Sequence, residues 1–227
     1  MIVAEIKPFK EMKEEVAHHK KICILGCEAC VSICHAGGQK QVGETAAQLR
    51  LAAKIDGNTI EVKEDSVQRQ CEWEFIEPLK EYIEDYEIAI SFGCGIGTQF
   101  LAERYPKVKV IPGLNTTFMG APIEPGVFVE RCVGCGNCVL ASTGGICPVS
   151  RCAKNLLNGP CGGSQDGKCE IGNETPCVWQ EIYDQLERQD RMYLIDPITQ
   201  PKDWSTSTNN QPRKMVLDHL KTVKAGS

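Results

Sequence analysis

The sequence predicts an α/β protein: a three-layer, mainly parallel sheet domain, then a small cysteine-rich metal-binding domain and an extended C-terminal tail. Three observations point there. Between residue 20 and about residue 120, short apolar runs closed by Gly or Pro alternate with helix-forming stretches. The chain carries 14 cysteines in 227 residues, and eight of them fall between Cys132 and Cys177. After about Asp190 it turns polar and proline-punctuated. The expected boundaries are residues 1–121, 122–190 and 191–227, the last an extended tail that should lie on a partner.

Taken in order, Lys21–Gly26 is an apolar run closed by glycine and reads as a strand. Gly43–Lys54 is rich in Ala and Leu and reads as a helix. A weaker strand is expected at Thr59–Val62. From Ser66 to Glu84, Val67, Cys71, Phe75, Leu79 and Ile83 recur every four residues, the stripe of an amphipathic helix. Glu87–Gly93 is the clearest strand. Thr98–Arg104 should be helical up to Pro106, and Lys107–Ile111 a strand up to Pro112. Strands alternating with helices imply a parallel sheet covered on both faces. From Pro122 to about Trp179 large aliphatic residues are scarce, so metal coordination is expected to supply cross-links that a core cannot. Val178–Arg188 returns to helical spacing, Asp196–Pro201 and Ser205–Pro212 read as irregular chain, and Met215–Val223 as a short helix.

Composition excludes several classes. Hydrophobic residues at 42% and charged residues at 24% are ordinary globular values, which argues against wholesale disorder and fibrous repeats. A net charge of -5 without a basic block argues against a general grip on nucleic acid. The N-terminal stretch has no apolar signal-peptide core and no window is apolar enough to span a membrane, so a cytoplasmic protein is expected. In a reducing compartment clustered thiols read as metal ligands and not as disulfides.

The strongest motif is Cys132-Val-Gly-Cys135-Gly-Asn-Cys138, a C-x2-C-x2-C run followed by Cys147-Pro148. A loop of this pitch presents three thiolates to an iron–sulfur cubane. Eight residues separate Cys138 from Cys147, which leaves the fourth ligand open. Gly134 and Gly136 suit the positive φ that aims backbone amides at sulfur. Cys152, Cys161, Cys169 and Cys177 suffice for a second tetrathiolate site, and zinc competes with iron–sulfur at both. The second motif is Cys27-Glu-Ala-Cys30-Val-Ser-Ile-Cys34, following a strand; on a helix its three sulfurs share one face. Sites in parallel sheets lie beyond the carboxyl ends of strands, so Cys94, in Gly93-Cys94-Gly95, is the preferred fourth ligand and Cys71 its rival. Cys23, inside a strand, reads as a buried inert thiol. Gly93–Gly97 is not a dinucleotide fingerprint. His18 and His19 read as a solvated patch beside Lys20 and Lys21, His35 as an exposed loop residue, and Trp73, Trp179 and Trp204 as core or interface anchors.

At these residues the chain resembles a known family. The run from Cys132 to Cys138, Thr143-Gly-Gly-Ile-Cys-Pro148, Arg151-Cys-Ala-Lys154, Leu157-Asn-Gly-Pro-Cys-Gly-Gly163, Gly167-Lys-Cys-Glu170 and Cys177-Val-Trp-Gln-Glu-Ile-Tyr183 resemble the cysteine-rich C-terminal domain associated with methylenetetrahydrofolate reductases. The preceding half, with Gly26–Cys34 and Ser91-Phe-Gly-Cys-Gly95, is similar to the small subunits that accompany MetF-type flavin subunits in acetogenic bacteria. The resemblance implies a non-catalytic electron-transfer subunit with two or three 4Fe-4S clusters, zinc possible at one site, a MetF-type partner holding FMN and folate, and an electron-donor protein such as ferredoxin or a larger redox complex. The chain lacks the eightfold strand–helix alternation of a TIM barrel, in keeping with that division of labour. The alternative is a zinc-stabilised scaffold of the same complex without a redox role.

Overall fold

The structure, a computed structural model, describes residues 1–207 and 212–220. It divides into two compact units, Met1–Glu130 and Arg131–Ser227.

The first unit runs β1 (Ile2–Ile6), α1 (Phe9–Val16), β2 (Lys21–Cys27), α2 (Cys30–Ile33), α3 (Gln39–Ile55), β3 (Glu61–Val67), α4 (Trp73–Ile76), β4 (Ile88–Phe92), α5 (Gly95–Arg104), β5 (Lys109–Pro112), β6 (Leu114–Glu124) and β7 (Val127–Cys132). Four strands in the order β3-β2-β4-β5 form a sheet in which every pairing is parallel. The side-chain period of two sends alternate residues to opposite faces. Ile22 and Ile24 of β2 and Ile88, Ile90 and Phe92 of β4 meet Val31, Val42, Ala46 and Leu49 from α2 and α3, with Met12 and Val16 of α1. Cys23, Leu25 and Ala89 face the other way, onto Ile76, Leu79, Ile83, Leu101 and Tyr105. Both faces are therefore covered, as the near-continuous apolar runs of β2 and β4 require.

The expected helix over Ser66–Glu84 does not form. Val67 closes β3, which pairs with β2 along its whole length from Lys21 opposite Glu61 to Cys27 opposite Val67. That pairing also moves the strand expected at Thr59–Val62 to Glu61–Val67. Helical structure follows only as α4 and short 3-10 turns at Glu77–Glu81 and Ile83–Asp85. Pro78 removes one backbone donor at the start of the first 3-10 turn, although Glu77 before it keeps α dihedrals at φ −57 and ψ −37. The apolar stripe still does its packing, because Ile76, Leu79 and Ile83 are buried on the sheet.

A second, three-stranded sheet has the order β1-β6-β7. The N-terminal strand pairs antiparallel with β6, Ile6 opposite Leu114, and the Thr117 hydroxyl donates to the Val3 carbonyl at 2.8 Å. β6 and β7 are joined by Pro125–Gly126, with Gly126 at φ +82, the residue order of a type II turn.

The second unit contains α6 (Pro148–Arg151), the antiparallel pair β8 (Lys168–Cys169) and β9 (Gly172–Pro176), and α7 (Val178–Arg188). Its core is small: Cys177, Val178, Trp179, Ile182 and Leu186, edged by Ile146, Cys152, Leu156, Met192, Leu194 and Ile195. α7 has the bounds its periodicity predicts. The helix expected at Met215–Val223 is absent over 215–217, where Met215 is 83% exposed, and only a 3-10 turn at Asp218–Leu220 follows. Residues 221–223 lie outside the described residues.

Candidate metal centres

In the first unit, β2 ends at Cys27 and β4 at Phe92, so Cys27 and Cys94 lie at one carboxyl edge of the parallel sheet, as its topology requires. Cys94 is the N-cap residue of α5, and the Gly95 amide beside it is tied to Thr116 Oγ1 at 2.8 Å. Between the two strand ends sits Gln70, fully buried, its Nε2 donating to the Leu25 carbonyl (2.8 Å) and the Gly26 carbonyl (3.1 Å) while its Oε1 accepts from Ser91 Oγ at 2.6 Å. Cys71 is the next residue along the chain. Burial pushes the Cys27 thiol above its ordinary pKa, the backbone amides of Gln70 and Ala29 pull it back by donating to the sulfur, and Cys94 and Cys30 push it up further. Cys71 is raised by burial first, then by Cys94 and Cys27. Cys27 thus senses Cys94 and Cys30, and Cys71 senses Cys94 and Cys27. Cys34 instead donates its thiol hydrogen to the Val31 carbonyl (3.4 Å) and the Ala4 carbonyl (3.6 Å). Cys23 is wholly buried and burial pushes its pKa up to about 12, in keeping with an inert core thiol.

In the second unit, Cys132 ends β7 and opens a loop through Cys135 and Cys138. Gly134 and Gly136 both have positive φ, +63 and +85, and the Gly134 amide donates to Cys132 Sγ at 3.3 Å. These are the conformations expected of a loop that turns its amides toward sulfur. Cys147 is the N-cap residue of α6, and one turn on Ser150 Oγ donates to the Arg131 carbonyl at 3.0 Å, which ties this short helix to the start of the loop. The chain after α7 returns to the same loop. Thr206 Oγ1 donates to the Cys135 carbonyl at 3.0 Å, and Arg213 Nη1 to the Gly134 carbonyl at 2.7 Å. Nothing in the sequence pattern signals these two tail residues, or Gln70.

The remaining thiols, Cys152, Cys161, Cys169 and Cys177, line one cavity of about 20 Å³ together with Lys154, Glu170 and Trp179. Cys152 caps the end of α6, Cys169 ends β8 and Cys177 caps the start of α7, so element ends deliver them. At Cys161 the amide of Gly163, and then the charge of Lys154, hold the thiol below its ordinary pKa against the cost of burial, which favours the thiolate a metal needs. A space of this size admits an occupant about as large as one water or one ion.

Among the described residues no three His, Cys, Asp or Glu side chains already stand close enough to hold a single metal ion. A cubane is larger than an ion and takes its thiolates from farther apart. The amides aimed at Cys27 and Cys132 fit such a group, because they offer positive dipoles to sulfur that carries negative charge.

Fold and thiol placement together define a mixed α/β protein with a parallel four-stranded sheet and a cysteine-rich second unit. Residues 111–205 match the family described as methylene-tetrahydrofolate reductase C terminal. Comparison with curated proteins and with solved structures gives no match. Among the described residues no helix is long and apolar enough to cross a membrane.

Proposed function

We propose that this chain is a MetV-type small subunit of a methylenetetrahydrofolate reductase. It carries electrons from a donor protein, such as ferredoxin or a larger redox complex, to the FMN of a MetF-type subunit. That partner reduces 5,10-methylenetetrahydrofolate to 5-methyltetrahydrofolate in the Wood-Ljungdahl pathway. The observation that carries the reading is the family match over residues 111–205, which spans all eight cysteines of the second unit. In this reading the thiolates of the first unit and of the Cys132–Cys138 loop hold 4Fe-4S clusters, and folate chemistry stays with the partner.

A second reading, a zinc-stabilised scaffold without redox role, draws support from the ion-sized cavity among Cys152, Cys161, Cys169 and Cys177. The two combine if zinc occupies that site alone. Anaerobic purification with the MetF-type subunit separates them. Brown protein with iron, acid-labile sulfide and turnover from a protein donor is expected. Colourless protein with stoichiometric zinc would leave only the scaffold.

A further inference from the structure

We infer that the metal site of the first unit is built from Cys27, Cys30, Cys71 and Cys94, with Cys34 outside it. The inference rests on the metal-binding reading above and replaces the fourfold set that sequence spacing suggests. Helical spacing places Cys27, Cys30 and Cys34 on one face only if a helix runs through all three. It does not: α2 spans Cys30–Ile33 alone, and Cys34 is its C-cap residue at φ −87 and ψ 14. The chain has by then turned toward β1, where the Cys34 thiol lies 3.6 Å from the Ala4 carbonyl.

Cys71 is brought in by its neighbour. Gln70 is held by three hydrogen bonds across the carboxyl ends of β2 and β4. Its side chain is packed as closely: a Cβ on Gly97 would lie 2.7 Å from Gln70 Cβ, and one on Gly93 would lie 2.3 Å from Gln70 Oε1. Only glycines let α5 begin against this residue. The Leu25 and Gly26 carbonyls that Gln70 binds are the last before Cys27, and it packs on Gly97 of α5, so residue 71 starts from a point beside the end of β2 and the first turn of α5, which Cys94 caps. Cys27 is 8% exposed and the other three are partly exposed. Solvent and a metal-loading partner therefore reach Cys30, Cys71 and Cys94, while Cys27 closes the site from the buried side. Gln70 acts as a positioning residue for the site.

The test uses the full chain, purified anaerobically, with alanine at Cys27, Cys30, Cys34, Cys71 and Cys94 in turn. Iron, zinc and acid-labile sulfide are measured per chain. Cys71→Ala and Cys94→Ala are each expected to lose one centre's metal, and Cys34→Ala to lose none. Alkylation of the unmutated protein, mapped by mass spectrometry before and after chelation, covers variants that fail to fold. Chelation should unmask Cys27, Cys30, Cys71 and Cys94 while labelling of Cys34 stays unchanged. Metal loss in Cys34→Ala with retention in Cys71→Ala, or chelation unmasking Cys34 but not Cys71, overturns the assignment. The identity of the metal is read separately: zinc without sulfide defeats the electron-transfer reading, while the pattern of losses still decides the ligands.

Discussion

Gln70 Oε1 accepts a hydrogen bond from Ser91 Oγ at 2.6 Å, joining a loop residue to β4 where both are completely buried. The same Ser91 oxygen accepts from Thr98 Oγ1 (3.0 Å) and from the Gly93 amide (3.2 Å), so one small polar network closes the carboxyl edge of the sheet. Replacing Gln70 with Leu keeps the volume but takes the acceptor from the buried Ser91 hydroxyl and a donor from the Leu25 and Gly26 carbonyls. A buried polar group left unpaired costs about 1–3 kcal/mol. Urea unfolding of Gln70→Leu should show a loss of at least that order, and metal bound at the first unit should fall with it.

Gly159 lies against the indole of Trp179, and a Cβ there would come 2.2 Å from Cδ1. Trp179 is 4% exposed and its Nε1 donates to the Leu156 carbonyl at 3.0 Å, whereas Trp73 and Trp204 are 47% and 40% exposed. Overpacking a core position costs about 1–3 kcal/mol. Gly159→Ala should therefore destabilise the second unit and shift its tryptophan emission to the red, because the most shielded indole is the one displaced. Unchanged emission would show that the ring has room to move.

The second unit buries few large apolar side chains, chiefly Val149, Val178, Trp179, Ile182 and Leu186. Small cores of this kind depend on metal for folding free energy. Removing metal with a chelator should open residues 132–177 to protease while the first unit, with its two-faced sheet, stays resistant. Equal protease resistance before and after complete removal would contradict this.

Burial pushes the Cys23 pKa up to about 12 in the folded protein, while an unfolded cysteine titrates near ~8.5. Above the unfolded value the unfolded chain has released a proton that the native state keeps, so stability falls as pH rises. The slope from one such group is about 1.4 kcal/mol per pH unit. Between roughly pH 9 and 11, Cys23→Val should lose stability less steeply than the unmutated chain, and below about pH 8 the two slopes should coincide. Parallel curves throughout would mean that Cys23 ionises in the native state.

Local pattern made β2, β4, α5 and α7 legible, because each combines a uniform side-chain period with a glycine, proline or polar stop. Residues 66–84 misled for a physical reason: a four-residue apolar repeat also suits a chain that packs in short turns, and the order of Val67, Leu79 and Ile83 does not reveal that the first of them belongs to a strand. The β1-β6-β7 sheet escaped notice because its strands join distant parts of the chain and expose much of their length, although Pro125-Gly126 carried a readable turn signal. At the candidate metal centres, the grouping of the thiols along the chain was evident from spacing. The placement of Cys71 next to the strand ends was not, since it depends on Gln70 reaching across them.

The clasp between the tail and the cysteine loop has a temporal side. Thr206 follows Cys135 by 71 residues, and Arg213 follows Gly134 by 79. A ribosome must therefore make a further stretch of that length after the loop before either hydrogen bond can exist. The loop leaves the exit tunnel unlatched, with its thiols uncovered by the tail, and the latch arrives only when the rest of the second unit has been made. Late latching is thus written into the order of the residues, and a chain cut before Thr206 would leave its loop in the nascent, unlatched condition.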